Sequence, residues 1–266
     1  MKIRERCIVI AAALVFLILI PASGRGQQPP VELSDPFTGF AQSTPPAPSP
    51  GEAKPSAAGR YFKEIWSDQK VIWASPFRMK RRQWLTIALP LAAGAAALLA
   101  TDERAMHMLP NTHDQTRWSG RASDIGSFAA LGGMVGGSML YSRLKGHSDW
   151  QKIGISTSQA LADSFIVCTA LKYVTARERP MVNNGEGRFW KGGDSFPSGH
   201  TMYSFAVAMA IVRNKQAPKW LKVTSLGVST AVGLARWGAT RHFPSDVLVG
   251  GVLGGLIGNY VGSRRR

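Results

Sequence analysis

Cysteine is nearly absent: Cys7 and Cys168 are the two thiols in 266 residues. Cys7 lies inside an apolar run near the start, so removal of that run leaves one thiol and no internal disulfide, even in an oxidising compartment. Acidic residues are scarce as well, 16 Asp and Glu against 32 Lys and Arg, for a formal net charge of +16. There is no HExxH and no Cys-rich spacing to hold a metal. The period-two alternation of strands is missing, and so is any repeat of solenoid length. No basic tract is interleaved with aromatics in a nucleic-acid motif, so the charge does not read as a nucleic-acid surface.

What is present begins with Met1–Arg6, a basic stretch, then Cys7–Ile20, an unbroken apolar run, then Ala22, Ser23 and Gly24. Residues 1–24 read as a secretory signal peptide. The run of fourteen residues is shorter than the roughly 20 that cross a bilayer, and an uncleaved anchor is the alternative. Pro29, Pro30, Pro45, Pro46, Pro48, Pro50 and Pro55 fall among small polar residues, so residues 25–59 are expected to be a disordered tether. A single domain of about 200 residues then follows, enough for one sizeable core.

Within residues 60–84, Phe62, Ile65, Trp66, Gln69 and Trp73 recur at helical spacing beside Lys63, Lys70, Lys80, Arg81 and Arg82. This predicts an amphipathic helix, packed on the domain with a solvated face or lying on anionic headgroups. Six apolar segments occupy 85–100, 125–142, 153–171, 201–212, 223–235 and 247–262, joined by loops of Pro, Asn, Asp and Gly, and they predict an all-α six-helix bundle. The pairs Gly132/Gly136 and Gly133/Gly137, and the series Gly250/Gly254/Gly258 and Gly251/Gly255, predict faces where backbones approach closely.

Three motifs carry the chemistry: Lys172 to Arg179-Pro180, then Pro197-Ser198-Gly199-His200, then Arg236 through His242 to Asp246. Three cations, two histidines and a carboxylate thus lie at the ends of apolar segments. Ser198 is a natural N-cap for a helix opening at Gly199, and Pro244-Ser245-Asp246 reads as the first turn of another; helix N-termini bind anions without a metal. Taken singly, Asp246 could complement a helix dipole and Arg236 could flank a membrane segment. Jointly those readings do not account for the spacing.

In these residues the chain resembles the type 2 phosphatidic acid phosphatase and vanadium haloperoxidase superfamily, whose signature reads KxxxxxxRP, PSGH and SRxxxxxHxxxD, over roughly residues 120–262. Ala235 stands where that family has Ser, so its hydroxyl must be missing or supplied from elsewhere. The resemblance implies that Lys172, Arg179 and Arg236 hold a phosphoryl group, with Ser198 and Gly199 adding hydrogen bonds. It implies that His242 attacks phosphorus to form a phosphohistidine, that Asp246 accepts a hydrogen bond from the other ring nitrogen, and that His200 protonates the leaving alkoxide and then activates water.

The expected function is a metal-independent phosphatase, without cofactor, acting on phosphomonoester or pyrophosphate groups, a lipid phosphate being the favoured substrate and a membrane the expected partner. The alternatives are a vanadate-dependent haloperoxidase, a soluble periplasmic non-specific acid phosphatase, and a non-catalytic phosphate-binding envelope protein. Arg177, Arg241 and Trp190 line the entrance or are ordinary loop residues; His107, His113 and Asp114 read as solvated loop. Asp163 is functional if its segment spans and a surface residue if it does not. Basic clusters at Lys80–Arg82, Arg143–Lys145, Arg213–Lys222 and Arg264–Arg266 oppose the motifs, which places the motif side outside the cytoplasm of an exported, cell-envelope protein. A cleaved signal followed by six spans would reverse that orientation. Either segment 85–100, interrupted by Pro90, does not cross, or nothing spans and the bundle rests on the membrane.

Overall fold

The computed structural model describes residues 56–264; the signal peptide and nearly all of the tether expected from the sequence lie outside the described residues. Eight helices of eleven residues or more follow in order: α1 (Ala57–Ala74), α2 (Leu89–His107), α3 (His113–Ser123), α4 (Phe128–Leu144), α5 (Ser148–Thr175), α6 (Gly199–Arg213), α7 (Lys219–Gly238) and α8 (Pro244–Arg264). No strand occurs among the described residues, and all six apolar segments are helical.

The centre is α5, α6 and α8, whose Leu161, Val167, Met202, Ala206, Leu253 and Ile257 are buried together. Glycine decides how closely α8 and α6 approach. A Cβ on Gly254 would sit 2.0 Å from the Met202 carbonyl oxygen, and one on Gly258 would sit 2.1 Å from that of Ala206. The expected close face of α8 is therefore real. The one expected on α4 is not: Gly132, Gly133, Gly136 and Gly137 have nothing within 4 Å of a built Cβ. Spacing alone cannot say which face of a helix meets a neighbour. Gly254→Ala should consequently cost about 1–3 kcal/mol through overpacking, whereas Gly133→Ala should gain up to about 1 kcal/mol by relieving glycine's entropy. Thermal melts in one detergent check both signs.

α1 ends at Ala74, ten residues before the amphipathic stretch read from the sequence does, because a 3₁₀ turn over Ser75–Arg78 intervenes. It packs on α5 through Ile65 and Ile72, and Gln69 donates to the Asp163 carboxylate at 2.8 Å. Asp163 is therefore neither exposed nor near the motifs; it is fully buried beneath α1. The opposite face of α1 and the turn after it expose Phe62, Trp66 and Phe77 beside Lys63, Lys70 and Arg78.

A π-helical turn at Trp84–Ala88 leads into α2, giving a 24-residue helix, Trp84–His107, whose most apolar 18-residue stretch has a mean hydropathy of 1.8. Among the described residues this is the one helix long and apolar enough to cross a membrane. Pro90 does not interrupt the helix: it lies in the first turn of α2, where a missing N–H costs little. The helix, about 36 Å with its π-helical lead, runs from the basic Lys80–Arg82 end to the motif end, which it reaches through Asp102.

α3 carries no apolar run to mark it in the sequence. Thr112 caps it, with Oγ1 accepting from the Gln115 amide, and Gln115 in turn donates to the Gly238 carbonyl at 2.9 Å. His113 and Asp114 thus open a helix and His107 closes one, rather than lying in loop.

Candidate active site

The motifs converge at one end of the bundle, where α5 and α7 finish and α6 and α8 begin. The chain leaves α5 through Ala176 in a left-handed conformation (φ 42°) and crosses to Ser198. Ser195 and Phe196, buried in that crossing, bring its backbone against the last loop.

His242 is buried on this loop, with Nδ1 2.8 Å from the Ser195 carbonyl oxygen. A carbonyl only accepts, so Nδ1 carries the proton and Nε2 the lone pair. The resemblance assigns this role to Asp246. At 3.7 Å from Nδ1 its carboxylate is beyond hydrogen-bond reach, and it acts on the ring through charge. Asp246 instead accepts from Ser195 Oγ at 2.6 Å, from the Phe243 amide at 3.0 Å and from Arg177 at 2.6 Å. Burial pushes the Asp246 carboxyl up, yet Arg177 and the hydrogen bonds outweigh it and hold the group below the usual carboxylate range.

Burial lowers His242 to about 4, against the pull of Asp246 and with the repulsion of Lys172 and Arg236. His200, the second residue of α6, is lowered to about 3 by burial and then by Arg236, His242, Lys172 and Arg179. Its Nε2 lies 4.0 Å from Asp124, at the end of α3. Both rings are neutral at pH 7.

The three cations are not equivalent. Arg179 makes a two-pronged pair with Asp194, at 2.7 and 2.8 Å, and the Lys172 ammonium donates to the Asp194 backbone carbonyl. Asp194, which the sequence reading did not single out, is held at about 2 by the Arg179 hydrogen bonds despite partial burial. Arg236 forms no ion pair among the described residues. Its Nη1 donates to Ser123 Oγ at 3.1 Å, and its buried Nε has no partner. Ser123 of α3 thus places a hydroxyl beside Arg236.

Ser198 stands at the N-cap of α6, but its side chain does not cap. Its Oγ pairs with Thr201 Oγ1 at 2.9 Å, while its backbone N–H donates to the Asp246 carbonyl at 3.0 Å. Gly199 follows, a turn before Tyr203, whose hydroxyl a Cβ at Gly199 would approach to 3.2 Å. Trp190 and Arg241 are exposed near this end. Arg177, expected at the entrance or in ordinary loop, is 2 % exposed and belongs to the interior.

Residues 155–263 match the model of the PAP2 superfamily. The chain is 33 % identical over 117 residues to the lipid A 1-phosphatase of Porphyromonas gingivalis, an alignment that covers 43 % of this chain and 24 % of that protein's length. A similarity is also found to the crystal structure of a transmembrane PAP2 type phosphatidylglycerolphosphate phosphatase from Bacillus subtilis, with 18 % identity, 76 % of this chain and 92 % of that one covered, and a TM-score of 0.46. The segment that matches the PAP2 superfamily model, residues 155–263, holds all three motifs.

Proposed function

We propose that this protein is a metal-independent lipid phosphatase that works through a phosphohistidine on His242. The observation that carries the reading is a buried, neutral histidine with its Nδ1 proton committed to the Ser195 carbonyl, set among Lys172, Arg179 and the unpaired Arg236. These cations gather the equatorial phosphoryl oxygens, and Arg236 offers a buried donor with nothing else to bond. His242 Nε2 attacks phosphorus as the P–O bond to the leaving group breaks, and His200 gives the departing alkoxide its proton. Water then attacks the phosphohistidine, His200 takes the water's proton, and phosphate leaves with His242 restored.

A lipid is favoured by an apolar groove of about 310 Å³ between α4, α5, α6 and α7, lined by Ile125, Leu131, Val135, Val207 and Val232. It begins at Gly126, where an added Cβ would lie 3.0 Å from the His200 carbonyl oxygen. An acyl chain seated there would leave its phosphate at the site. Similarity to a lipid A 1-phosphatase points the same way.

At about 3, His200 in the empty site carries no proton to give. A bound phosphate offsets Arg236 and Lys172, so the proton must arrive with a monoanionic phosphate, whose second pKa is about 6. kcat/KM should therefore fall below about pH 4, where His242 protonates, and fall again above about pH 6, where the substrate loses its proton. Phosphate release measured over a panel of lipid and soluble phosphates between pH 3 and 9 checks this. A rate that instead rose through pH 8, or that vanished in chelator and returned with a divalent ion, would sink the mechanism. Vanadate bound without any ester being cleaved would leave a phosphate-binding protein.

The site is proposed to face out of the cytoplasm. The basic clusters at the start of α2, the end of α4, the end of α6, the start of α7 and the end of α8 all lie at the bundle end opposite the motifs. α1 joins that basic end, where Asp68 pairs with Arg264. If the bundle spans, residues ahead of α2 then lie inside, which a cleaved signal does not allow; if it rests on the membrane, the signal stands. Lys191→Cys, in the exposed crossing loop, should react with a membrane-impermeant thiol reagent in intact cells, and retention after carbonate washing separates the two arrangements. Labelling only after lysis would refute the outward site.

A further inference from the structure

Arg177 lies inside the first motif but is not among its signature positions, and Asp102 lies on α2, outside residues 155–263. Both are buried. The Arg177 guanidinium donates from Nη1 to Asp246 Oδ1 at 2.6 Å and to Ser245 Oγ at 2.8 Å, from Nη2 to Asp102 Oδ2 at 2.8 Å, and from Nε to the Gly187 carbonyl at 3.1 Å. Its plane is held against the rings of Phe189 and Phe243, at 4.8 and 4.2 Å from their centroids. Asp102 accepts in addition from the Ser245 amide at 3.1 Å and from the Ser245 hydroxyl.

These contacts form one buried chain. Asp102 orients Arg177, Arg177 orients Asp246, Asp246 holds the Ser195 hydroxyl, and the Ser195 carbonyl holds the His242 ring. A guanidinium paired with Asp246 alone could pivot about that pair; a second carboxylate on its other arm fixes the plane. The three charged groups come from three places in the sequence: α2, the loop after α5, and α8.

We propose that Asp102 and Arg177 are positioning residues for His242, which makes α2 a part of the site although it lies outside the PAP2 segment. The proposal rests on the reading of His242 as the nucleophile. Neither residue touches the substrate. Each acts by confining the imidazole to one orientation and one tautomer.

Asp102→Asn is close to isosteric but turns a donor toward Arg177. It should lower kcat about 10- to 100-fold, as loss of an outer orienting partner does, with KM changed less than about threefold. Nitrogen-15 spectra of the histidine rings at pH 7 should show His242 as a single Nδ1–H tautomer in the native protein and as a mixture in the variant. Arg177→Lys keeps the charge but cannot span two carboxylates with a planar fork, so it should give the same mixture. The double variant should be no slower than the slower single one. A lowered melting temperature with kcat unchanged and the single tautomer retained would overturn the proposal, as would losses that multiply in the double variant. The tautomer is read without turnover. A native protein that shifts tautomer in these variants yet cleaves no phosphate ester would refute the phosphatase reading and leave the positioning chain standing.

Discussion

His242→Ala should lower turnover by roughly 10⁴- to 10⁶-fold on every substrate, the scale seen when one member of a nucleophilic unit is removed. His200→Ala should behave differently. With an activated aryl phosphate, whose leaving group departs without a proton, the phosphoenzyme should still form, and its hydrolysis should become limiting. With an alkyl or lipid phosphate the first step itself should slow, by about 10²- to 10⁴-fold, the usual worth of a general acid. The motive is structural: His242 is buried with one nitrogen committed to Ser195, whereas His200 is a quarter exposed at the mouth of α6. Rapid-quench detection of the phosphoenzyme with both substrate types checks the division, and equal losses on both in the His200 variant would count against it.

Arg236→Ala should cost about 10²- to 10³-fold in kcat/KM, the effect of removing a preorganised donor to a developing oxyanion. Arg179→Ala should cost less. The reason is what each guanidinium gives up: Arg179 must part from Asp194 before it can serve the phosphate, whereas Arg236 is already desolvated and holds a donor in reserve. Arg236→Lys should recover little, because an ammonium does not reproduce the planar fork held by Ser123. The reverse ranking of the two arginines would show that Asp194 moves away without cost. Asp194→Asn, measured by vanadate binding, separates that case, since freeing Arg179 should then leave the affinity unchanged rather than raise it.

Much of this protein follows from its sequence because the relevant physics is local. Apolar segments without strand alternation form helices here, five of the six corresponding to α4 through α8 and the sixth to the π-helical lead and first part of α2. The three motifs also place their residues by local rules. Pro197 and Ser198 open one helix and Pro244 another, so His200 and Asp246 stand in first helical turns, with His242 in the loop just ahead of the second, while Lys172 and Arg236 stand at helix ends.

Tertiary structure decided what depends on residues distant in the chain. Which glycines meet a backbone is settled by the neighbour, so Gly254 is tight and Gly133 is free although both sit in the same kind of repeat. α3 escaped notice because its helix is held by Thr112 at one end and by Gly238 across 123 residues, not by an apolar stripe. Ser195 fixes the His242 tautomer with a backbone carbonyl, a group every residue possesses and no side-chain motif can reveal. Asp194 and Arg177 are ordinary loop residues in the sequence. One becomes the ion-pair partner of Arg179 and the other a buried link between Asp102 and Asp246, because a charge acquires its role from what surrounds it after folding, when burial removes water and leaves the charged groups of distant segments as its partners.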